Sequence, residues 1–337
     1  MHDLAIIIVS TNEGHWLRPC LSSILARAGD LALDVVVADN QSTDGTRELV
    51  EHEFPAVRVV SCENRGFAHA NNRGLMTSDA RYALFLNPDT EILDGTFEQL
   101  VSALDERPEV GLVGVRQMTA DDELFPTIRR FPNALRALGE ALGSERWGRG
   151  IPWLGERELR MDRYDTEVAC DWTSGSFMLA RREALESAGY MDERSFIYSE
   201  EPDLCLRMKR AGWEIRHLPL MTILHHADKA GVNPKMAAQD AVSRVHYARK
   251  HFSAPHRAAY FGSLCTRYTL RLAWPGGDRE RRRLTHEAAR RSLRVVVGRE
   301  QPPFGEPPGQ AVAIRSRSAF EASAEPSVDA SRISAAK

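Results

Sequence analysis

Three short polar segments in the first third of the chain carry side chains that can bind a nucleotide, a phosphate or a metal ion. They span residues 10–13 (STNE), 39–45 (DNQSTDG) and 87–91 (NPDTE). Asp39 can accept hydrogen bonds from a base or ribose, and Asp89, which follows Pro88, can bind a hard divalent cation. Mg²⁺ and Mn²⁺ prefer one or two carboxylates together with phosphate oxygens. The residue types therefore predict a nucleotide-diphosphate ligand with a metal ion on its phosphates, with ordinary turn formation as the alternative for each segment.

A fourth polar segment, residues 200–203 (EEPD), places acidic side chains at the start of a predicted helix over residues 202–210. Proline in the first turn and a glycine at position 212 are typical of such a helix. The helix dipole favours the charged form of a carboxylate at this end. A charged carboxylate at this position, Glu200 or Glu201, is suited to act as a base at neutral pH. The alternative is that both residues only cap the helix.

The elements that must position these segments alternate between strands and helices. Short runs rich in Val, Ile and Leu predict buried strands at residues 4–10, 33–38, 57–60, 82–86 and 111–115. Helices are predicted between them, at residues 16–26, 46–53, 67–76 and 97–105. This alternation indicates a parallel sheet with helices on both faces. With the strand order 3-2-1-4, the polar segments meet in the crevice where the order reverses.

Composition and missing motifs exclude several classes of protein. Of the 337 residues, 43% are hydrophobic and 27% are charged, as expected for a globular protein and not for a collagen or a disordered chain. The longest apolar run, residues 4–9, is far shorter than the ~20 residues that span a bilayer. No G-x-G-x-x-G follows the first strand, and no P-loop occurs. Five cysteines without C-x-x-C spacing predict neither a disulfide framework nor a zinc site, and they favour a reducing cytosol.

The C-terminal third differs from the rest in charge. Residues 256–299 carry a net charge of +8, whereas the whole chain carries −3. We predict a catalytic domain at residues 1–232, a basic helical extension at 233–299 and a disordered tail at 300–337. The arginine-rich stretch has two interpretations, a solvated helical face or a surface attracted to anionic lipid. Sparse aromatic residues and the acidic balance argue against a nucleic-acid partner.

Six motifs, in this order, give the chain a family resemblance. They are residues 7–12 (IIVSTN), 37–46 (VADNQSTDGT), 63–74 (ENRGFAHANNRG), 86–91 (LNPDTE), 175–178 (GSFM) and 191–205 (MDERSFIYSEEPDLC). Over about residues 4–230 the chain resembles the inverting glycosyltransferases of family 2. The resemblance implies a GT-A fold, in which a Rossmann-like, mostly parallel sheet is flanked by helices. The N-P-D and E-E-x-D-L forms are most similar to the rhamnosyltransferase branch, which uses dTDP-L-rhamnose.

The resemblance also implies an activity and its partners. A sugar would move from a nucleotide diphosphate to a hydroxyl of a glycan or a polyprenyl-linked saccharide, with help from Mg²⁺ or Mn²⁺. The enzyme would be cytoplasmic, or peripheral on the inner face of the cell membrane. Three alternatives stay open: a family 2 enzyme that uses another UDP- or GDP-sugar, a sugar-phosphate nucleotidyltransferase and a non-catalytic glycan-binding protein. The second would release pyrophosphate and would need a glycine-rich basic loop after the first strand, while the third would need no acid cluster.

Individual roles follow from the same resemblance. Glu201 is the favoured base and Glu200 the runner-up, while Asp89 and His225 would bind the metal ion, with His226 as the alternative to His225. The donor nucleotide would be bound by Ser10, Thr11, Asn12, Asp39, Asn64, Arg65, Asn71 and Asn87.

Trp172 and Asp203 are the candidates for binding the acceptor. Trp172 could stack on the apolar face of a sugar or equally lie in the core, and Asp203 is favoured as a structural residue, with orientation of the acceptor as the alternative. One departure from the family pattern concerns the metal. Asn87 stands where the family has the first Asp of D-x-D, so metal binding would rest on Asp89 and diphosphate oxygens.

Overall fold

A computed structural model of the chain describes residues 2–144, 151–226, 231–273 and 275–305. Within these residues a nine-stranded mixed sheet is flanked by helices. The strands are β1 (Leu4–Ser10), β2 (Leu33–Asp39), β3 (Arg58–Ser61), β4 (Tyr82–Leu86), β5 (Thr90–Asp94), β6 (Val110–Thr119), β7 (Val168–Ala169), β8 (Phe177–Arg181) and β9 (Glu214–His225). The helices are α1 (Gly14–Leu25), α2 (Thr46–Glu53), α3 (Phe67–Met76), α4 (Phe97–Asp105), α5 (Ala134–Ala141), α6 (Arg182–Ala188), α7 (Glu200–Arg210), α8 (Pro234–His251), α9 (Ala254–Leu272) and α10 (Arg279–Val296).

The first four strands form the parallel half of the sheet in the order β3-β2-β1-β4. This confirms the predicted order and the reversal point between β1 and β4. Residues 4–10 of β1 are buried throughout because helices cover both faces of the strand. The polar segments that follow β1, β2 and β4 therefore emerge along the same edge of the sheet.

The second half of the sheet is mixed rather than parallel. Strand β8 runs antiparallel to both β4 and β6, and β9 pairs parallel with β6 and antiparallel with β5. Residues 214–225 form one bulged strand, β9. Residues 90 and 91, the end of the polar segment at 87–91, lie in β5, and the ladder sets Thr90 opposite His225.

The C-terminal helices α8, α9 and α10 pack on α5 through a separate apolar cluster that includes Ala137, Tyr260, Leu264 and Val295. Among the described residues, none of the helices is long and apolar enough to cross a bilayer. After α10 the chain continues along the protein to residue 305. Residues 306–337, the larger part of the predicted tail, lie outside the described residues.

Candidate active site

A cavity of about 570 Å³ lies at the carboxyl ends of the parallel strands. It is the crevice predicted from the strand order, and it brings together side chains separated by more than 200 positions in the chain. Seven of the predicted site residues line it: Thr11, Asn64, Asn87, Asp89, Glu200, Glu201 and His225. The predicted metal ligands and the predicted base thus line the same cavity.

Asp89 and His225 lie side by side on the wall of this cavity. The β5–β9 pairing places them together, and the Asp89 carboxylate oxygen Oδ1 is 3.4 Å from His225 Nε2. His226 turns away: its Nε2 lies 2.6 Å from a carboxylate oxygen of Glu91, and its ring stacks on Trp16. Of the two histidines, the geometry therefore presents His225 to a ligand in the cavity.

This pair fits a divalent ion only if the ligand completes the coordination. Within the described ranges, no three His, Cys, Asp or Glu side chains cluster as a metal site. One carboxylate and one imidazole leave most positions open for diphosphate oxygens and water, which is how Mg²⁺ and Mn²⁺ are held on nucleotides. Asn87 also lines the cavity and offers an uncharged oxygen.

Hydrogen bonds from the side-chain amide of Asn40 join the loops that follow β1, β2 and β3. Asn40 Nδ2 donates to the Asn64 side-chain oxygen at 3.0 Å and to Thr11 Oγ1 at 3.3 Å. Asn40 Oδ1 is buried and has no hydrogen-bond partner among the described residues. A buried acceptor without a donor costs free energy, so this oxygen is suited to a ligand N–H or O–H.

The two glutamates at the start of α7 occupy different environments. Glu201 Oε1 accepts a hydrogen bond from the backbone N–H of Gly175 at 3.2 Å. A side chain at Gly175 would overlap this oxygen, so glycine is needed for the approach. Glu200 is only 3% exposed, and its Oε2 has no partner in the described part of the chain.

These environments affect the two carboxyl groups in the same direction. Burial and the adjacent Glu201 charge raise the pKa of Glu200 well above its usual range. Burial also raises the pKa of Glu201, but the Gly175 N–H and the guanidinium of Arg129 oppose that shift. The Gly175 N–H and the Arg129 guanidinium favour the charged form of Glu201, whereas the neighbouring charge of Glu201 disfavours the charged form of Glu200. Glu201 is therefore the better candidate for the charged base.

The loop that carries the glutamates is fixed to the loop that follows β3. Phe67 N–H donates to the carbonyl of Phe196 at 2.8 Å, and any side chain at Gly66 (φ +107°) would overlap that carbonyl. Glu193 accepts from Asn72 Nδ2 at 2.9 Å and contacts His69 Nδ1 at 2.8 Å. The donor side and the base side of the cavity are thus held in one relative position.

Four of the predicted nucleotide-binding residues support the cavity without lining it. Ser10 is fully buried at the end of β1, and Asp39 accepts from the backbone N–H of Ser42 at 3.1 Å. Asn12 accepts from the backbone N–H of Thr43 at 2.7 Å and so joins two of the polar loops. Asn71 donates to the carbonyl of Phe67 at 3.0 Å, one turn earlier in α3. A fifth, Arg65, lines a smaller adjoining cavity instead.

The two residues predicted to bind the acceptor lie outside the cavity. Trp172 donates its indole N–H to the carbonyl of Arg130 at 2.9 Å and packs against the core. Asp203 is 5% exposed, and its carboxylate is surrounded by Arg207, Lys250 and His251 at 2.6–2.7 Å. These placements favour the structural alternative for both residues, with Asp203 tying α7 to α8.

Several residues to which sequence reasoning gave no role also line the cavity, and Glu13 is the most unusual of them. Burial, together with the nearby charge of Asp89, raises the pKa of Glu13 to about 7. Glu13 belongs to the polar segment at residues 10–13, so its position directly after β1 could have indicated a place in the site. Asn40 carried the same signal after β2. Phe196 lies within the motif at residues 191–205, whereas Met236 and Phe304 had no signal, because they come from distant parts of the chain.

Comparison with known proteins gives matches to a family model and to characterised relatives. The family model described as glycosyl transferase family 2 matches residues 5–188. The chain is similar to the N-acetylglucosaminyl-diphospho-decaprenol L-rhamnosyltransferase of Mycobacterium tuberculosis, with 31% identity over 88% of this chain and 98% of the relative. It is also similar to rhamnosyltransferase WbbL of Escherichia coli, with 25% identity over 66% of this chain and 83% of the relative.

Solved structures share the fold at low sequence identity. GalNAc-T7, solved with UDP, GalNAc and Mn²⁺, superimposes with a TM-score of 0.60 and 13% identity over 88% of this chain and 56% of its own. A mannosyltransferase from Pyrobaculum calidifontis, solved with GDP-Man and Mn²⁺, gives a TM-score of 0.54 and 17% identity over 89% of each chain. Both are GT-A glycosyltransferases, and the predicted fold class is confirmed.

Proposed function

Because the chain belongs to glycosyltransferase family 2 and is a sugar-transferring enzyme, we propose that it moves L-rhamnose from dTDP-L-rhamnose to a polyprenyl-diphosphate-linked N-acetylglucosamine. The acceptor class and the sugar come from the names of the two relatives. The nucleotide comes from the motif resemblance. Transfer proceeds with inversion at the anomeric carbon.

One observation carries the proposal: the Asp89–His225 pair, which can hold a metal ion, and the adjacent Glu200 and Glu201 line the same cavity. We propose that the donor diphosphate binds at the first pair and that the sugar points towards the glutamates. An inverting transfer needs the base on the side of the sugar opposite the leaving group, because the acceptor approaches from that side.

In the proposed mechanism Glu201 accepts the proton of the acceptor hydroxyl as its oxygen bonds to the sugar's anomeric carbon. The bond between that carbon and the diphosphate oxygen breaks in the same step, and the nucleoside diphosphate leaves. The Gly175 N–H orients the Glu201 carboxylate. Burial and the neighbouring Glu201 charge raise the pKa of Glu200, which disfavours a second negative charge beside the reacting sugar.

Asp89 and His225 would hold the divalent ion, together with diphosphate oxygens. A cation bound there would neutralise the charge that develops on the departing diphosphate. Imidazole is a poor ligand for Mg²⁺, so the donor set favours Mn²⁺ over Mg²⁺.

The test of the proposal is a transfer assay with purified protein, a short-chain polyprenyl-diphosphate N-acetylglucosamine and a panel of dTDP-, UDP- and GDP-sugars. We expect glycosylated lipid and dTDP from dTDP-L-rhamnose, with higher turnover in Mn²⁺ than in Mg²⁺. Turnover only with a UDP- or GDP-sugar would show that this nucleotide sugar, and not dTDP-L-rhamnose, is the donor. No turnover with any donor would contradict the function as stated.

We further propose that the catalytic domain spans residues 1–232 and that the helices after it hold the enzyme against the inner face of the membrane. The exposed surface of α9 and α10 carries arginines, among them Arg271, Arg282, Arg290 and Arg294. Exposed Leu270 and Val297 lie in the same region of the chain. A basic surface of this kind binds anionic lipid, with about 1 kcal/mol per Arg near the surface.

Sedimentation with vesicles tests the membrane contact. Binding is expected to vesicles that contain phosphatidylglycerol, to be absent from pure phosphatidylcholine and to weaken at high salt. Replacing Arg282, Arg290 and Arg294 together by Gln should weaken binding about 100-fold, the equivalent of ~3 kcal/mol. Arg47→Gln, an exposed charge change on α2, serves as the control. Equal binding by the triple variant and the control would contradict the contact.

A further inference from the structure

A short segment after α10, residues 300–305, returns to the mouth of the active-site cavity; we refer to it as the C-terminal strap. Glu300 anchors its start, because its carboxylate accepts from Arg291 Nε at 2.6 Å. Gly305 N–H donates to the carbonyl of Pro302 at 3.1 Å and closes a turn at its end. Phe304 lies inside this turn, and its position is therefore set at both ends of the strap.

The ring of Phe304 stacks on the ring of Phe196. Their centroids are 4.3 Å apart and their planes differ by 3°. Lys235 Nζ, on the first turn of α8, lies 4.0 Å from the centroid of the Phe304 ring. Stacking and a cation–π contact each contribute roughly 0.5–1.5 kcal/mol. Phe304 is thus held by specific contacts in addition to the anchors of the strap.

Both rings line the cavity that contains Glu200 and Glu201. Phe196 precedes Glu200 by four positions, and its carbonyl is bonded to the loop after β3. Phe304 extends this wall from a part of the chain far beyond residues 5–188, which the family model covers. Rings without a polar atom offer water no hydrogen bond, so this side of the cavity is suited to excluding water.

Exclusion of water matters for the proposed reaction because water competes with the acceptor. In transfer, the anomeric carbon loses its bond to the diphosphate oxygen and gains a bond to the acceptor oxygen, whose proton passes to Glu201. In hydrolysis, a water oxygen takes the acceptor's place and loses its proton to the same carboxylate. The products are then free sugar and nucleoside diphosphate, so the two outcomes can be counted separately.

We propose that Phe304 closes the cavity against water and thereby sets the preference of the enzyme for the acceptor hydroxyl over water. The inference rests on the proposed transfer function. It makes Phe304 a specificity residue of the active site. Glu300 and Arg291 are its positioning residues, since they hold the strap without reaching the cavity.

The test measures free sugar and glycosylated lipid in the same reaction, with the full-length chain, Mn²⁺, dTDP-L-rhamnose and the polyprenyl-diphosphate acceptor. Phe304→Ala should raise the ratio of hydrolysis to transfer about tenfold, the factor expected for loss of one aromatic contact. Phe304→Tyr, which keeps the ring, should recover most of the wild-type ratio. Glu300→Gln should raise the ratio less, and Gln301→Ala, an exposed change in the same strap, should leave it unaltered.

Thermal unfolding and nucleotide affinity, measured on the same variants, separate the outcomes. A lower melting temperature for Phe304→Ala with an unaltered ratio would show a purely structural role and overturn the inference. Faster transfer by Phe304→Ala would show that the strap obstructs the acceptor, which would also overturn it. Absence of transfer by the wild-type enzyme with every donor would instead count against the proposed function.

Discussion

Replacing Glu201 by Gln is expected to lower the rate of transfer about 1,000-fold while the affinity for the nucleotide changes little. Loss of a positioned general base costs 10²–10⁴ in rate. Gln keeps the size of the side chain and can still face the Gly175 N–H, so the cavity should keep its shape. Single-turnover kinetics would give the rate, and calorimetry with dTDP would give the affinity.

Glu200→Gln is the matched control, since it makes the same change one position earlier. Burial raises the pKa of Glu200, and Gln resembles the protonated form that this shift favours, so the variant should keep most of its activity. If Glu200→Gln abolishes transfer and Glu201→Gln does not, the two roles are exchanged. If Glu201→Gln loses nucleotide affinity in proportion to rate, the residue supports the structure and is not the base.

The assignment of Glu201 as the base also predicts how the rate of transfer depends on pH. Glu201 works only when it has lost its proton, and burial raises its pKa above the ordinary value of 4.5. Transfer should therefore increase with pH through that raised pKa, and the acid limb of kcat/KM should lie above pH 4.5. The limb should disappear in Glu201→Gln and persist in Glu200→Gln.

Replacing Asp89 by Ala is expected to remove the contribution of Mn²⁺ to nucleotide binding. With Mn²⁺ present, the dissociation constant for dTDP should increase about 100-fold, the equivalent of ~2.7 kcal/mol, and without metal it should change little. The physical reason is that Asp89 is the charged member of the Asp89–His225 pair. Titration calorimetry with and without Mn²⁺ measures both constants.

Glu91→Gln provides the control for Asp89, because it removes a nearby carboxylate that is paired with His226 and does not line the cavity. Its metal-dependent affinity should stay close to that of the wild type. Asn87→Asp, which supplies the acidic residue typical of the family, should tighten Mn²⁺-dependent binding. Metal dependence that survives in Asp89→Ala would assign the ion to other residues.

The parallel half of the fold was predictable because each strand is a short buried run and the crossovers restrict the topology. The cavity followed from the same rule, since the segments after β1, β2 and β4 must emerge at one edge. Glu200 and Glu201 were predictable from their position at a helix start. These features depend on residues close together in the sequence or on the order of the strands.

Features that depend on pairing between distant segments were not predictable. Nothing near residue 90 signals that it will pair with β9, yet this pairing places His225 beside Asp89. The cationic partners of Asp203, Lys250 and His251, come from α8, so the sequence around Asp203 left both a structural role and a role at the acceptor open. Phe304 follows Pro302 and Pro303. Nothing near it in the sequence indicates that this segment folds back to the cavity.

The anomeric configuration of the transferred sugar tests whether transfer is a single-step inversion with Glu201 as the base. The wild-type enzyme would be supplied with dTDP-L-rhamnose, Mn²⁺ and polyprenyl-diphosphate N-acetylglucosamine, and the one-bond C1–H1 coupling of the new rhamnosyl residue would be read by NMR. We expect a product whose anomeric configuration is opposite to that of the donor, because Glu201 activates the acceptor on the face of the sugar away from the diphosphate. A product that keeps the donor configuration would contradict the single-step mechanism and the role assigned to Glu201.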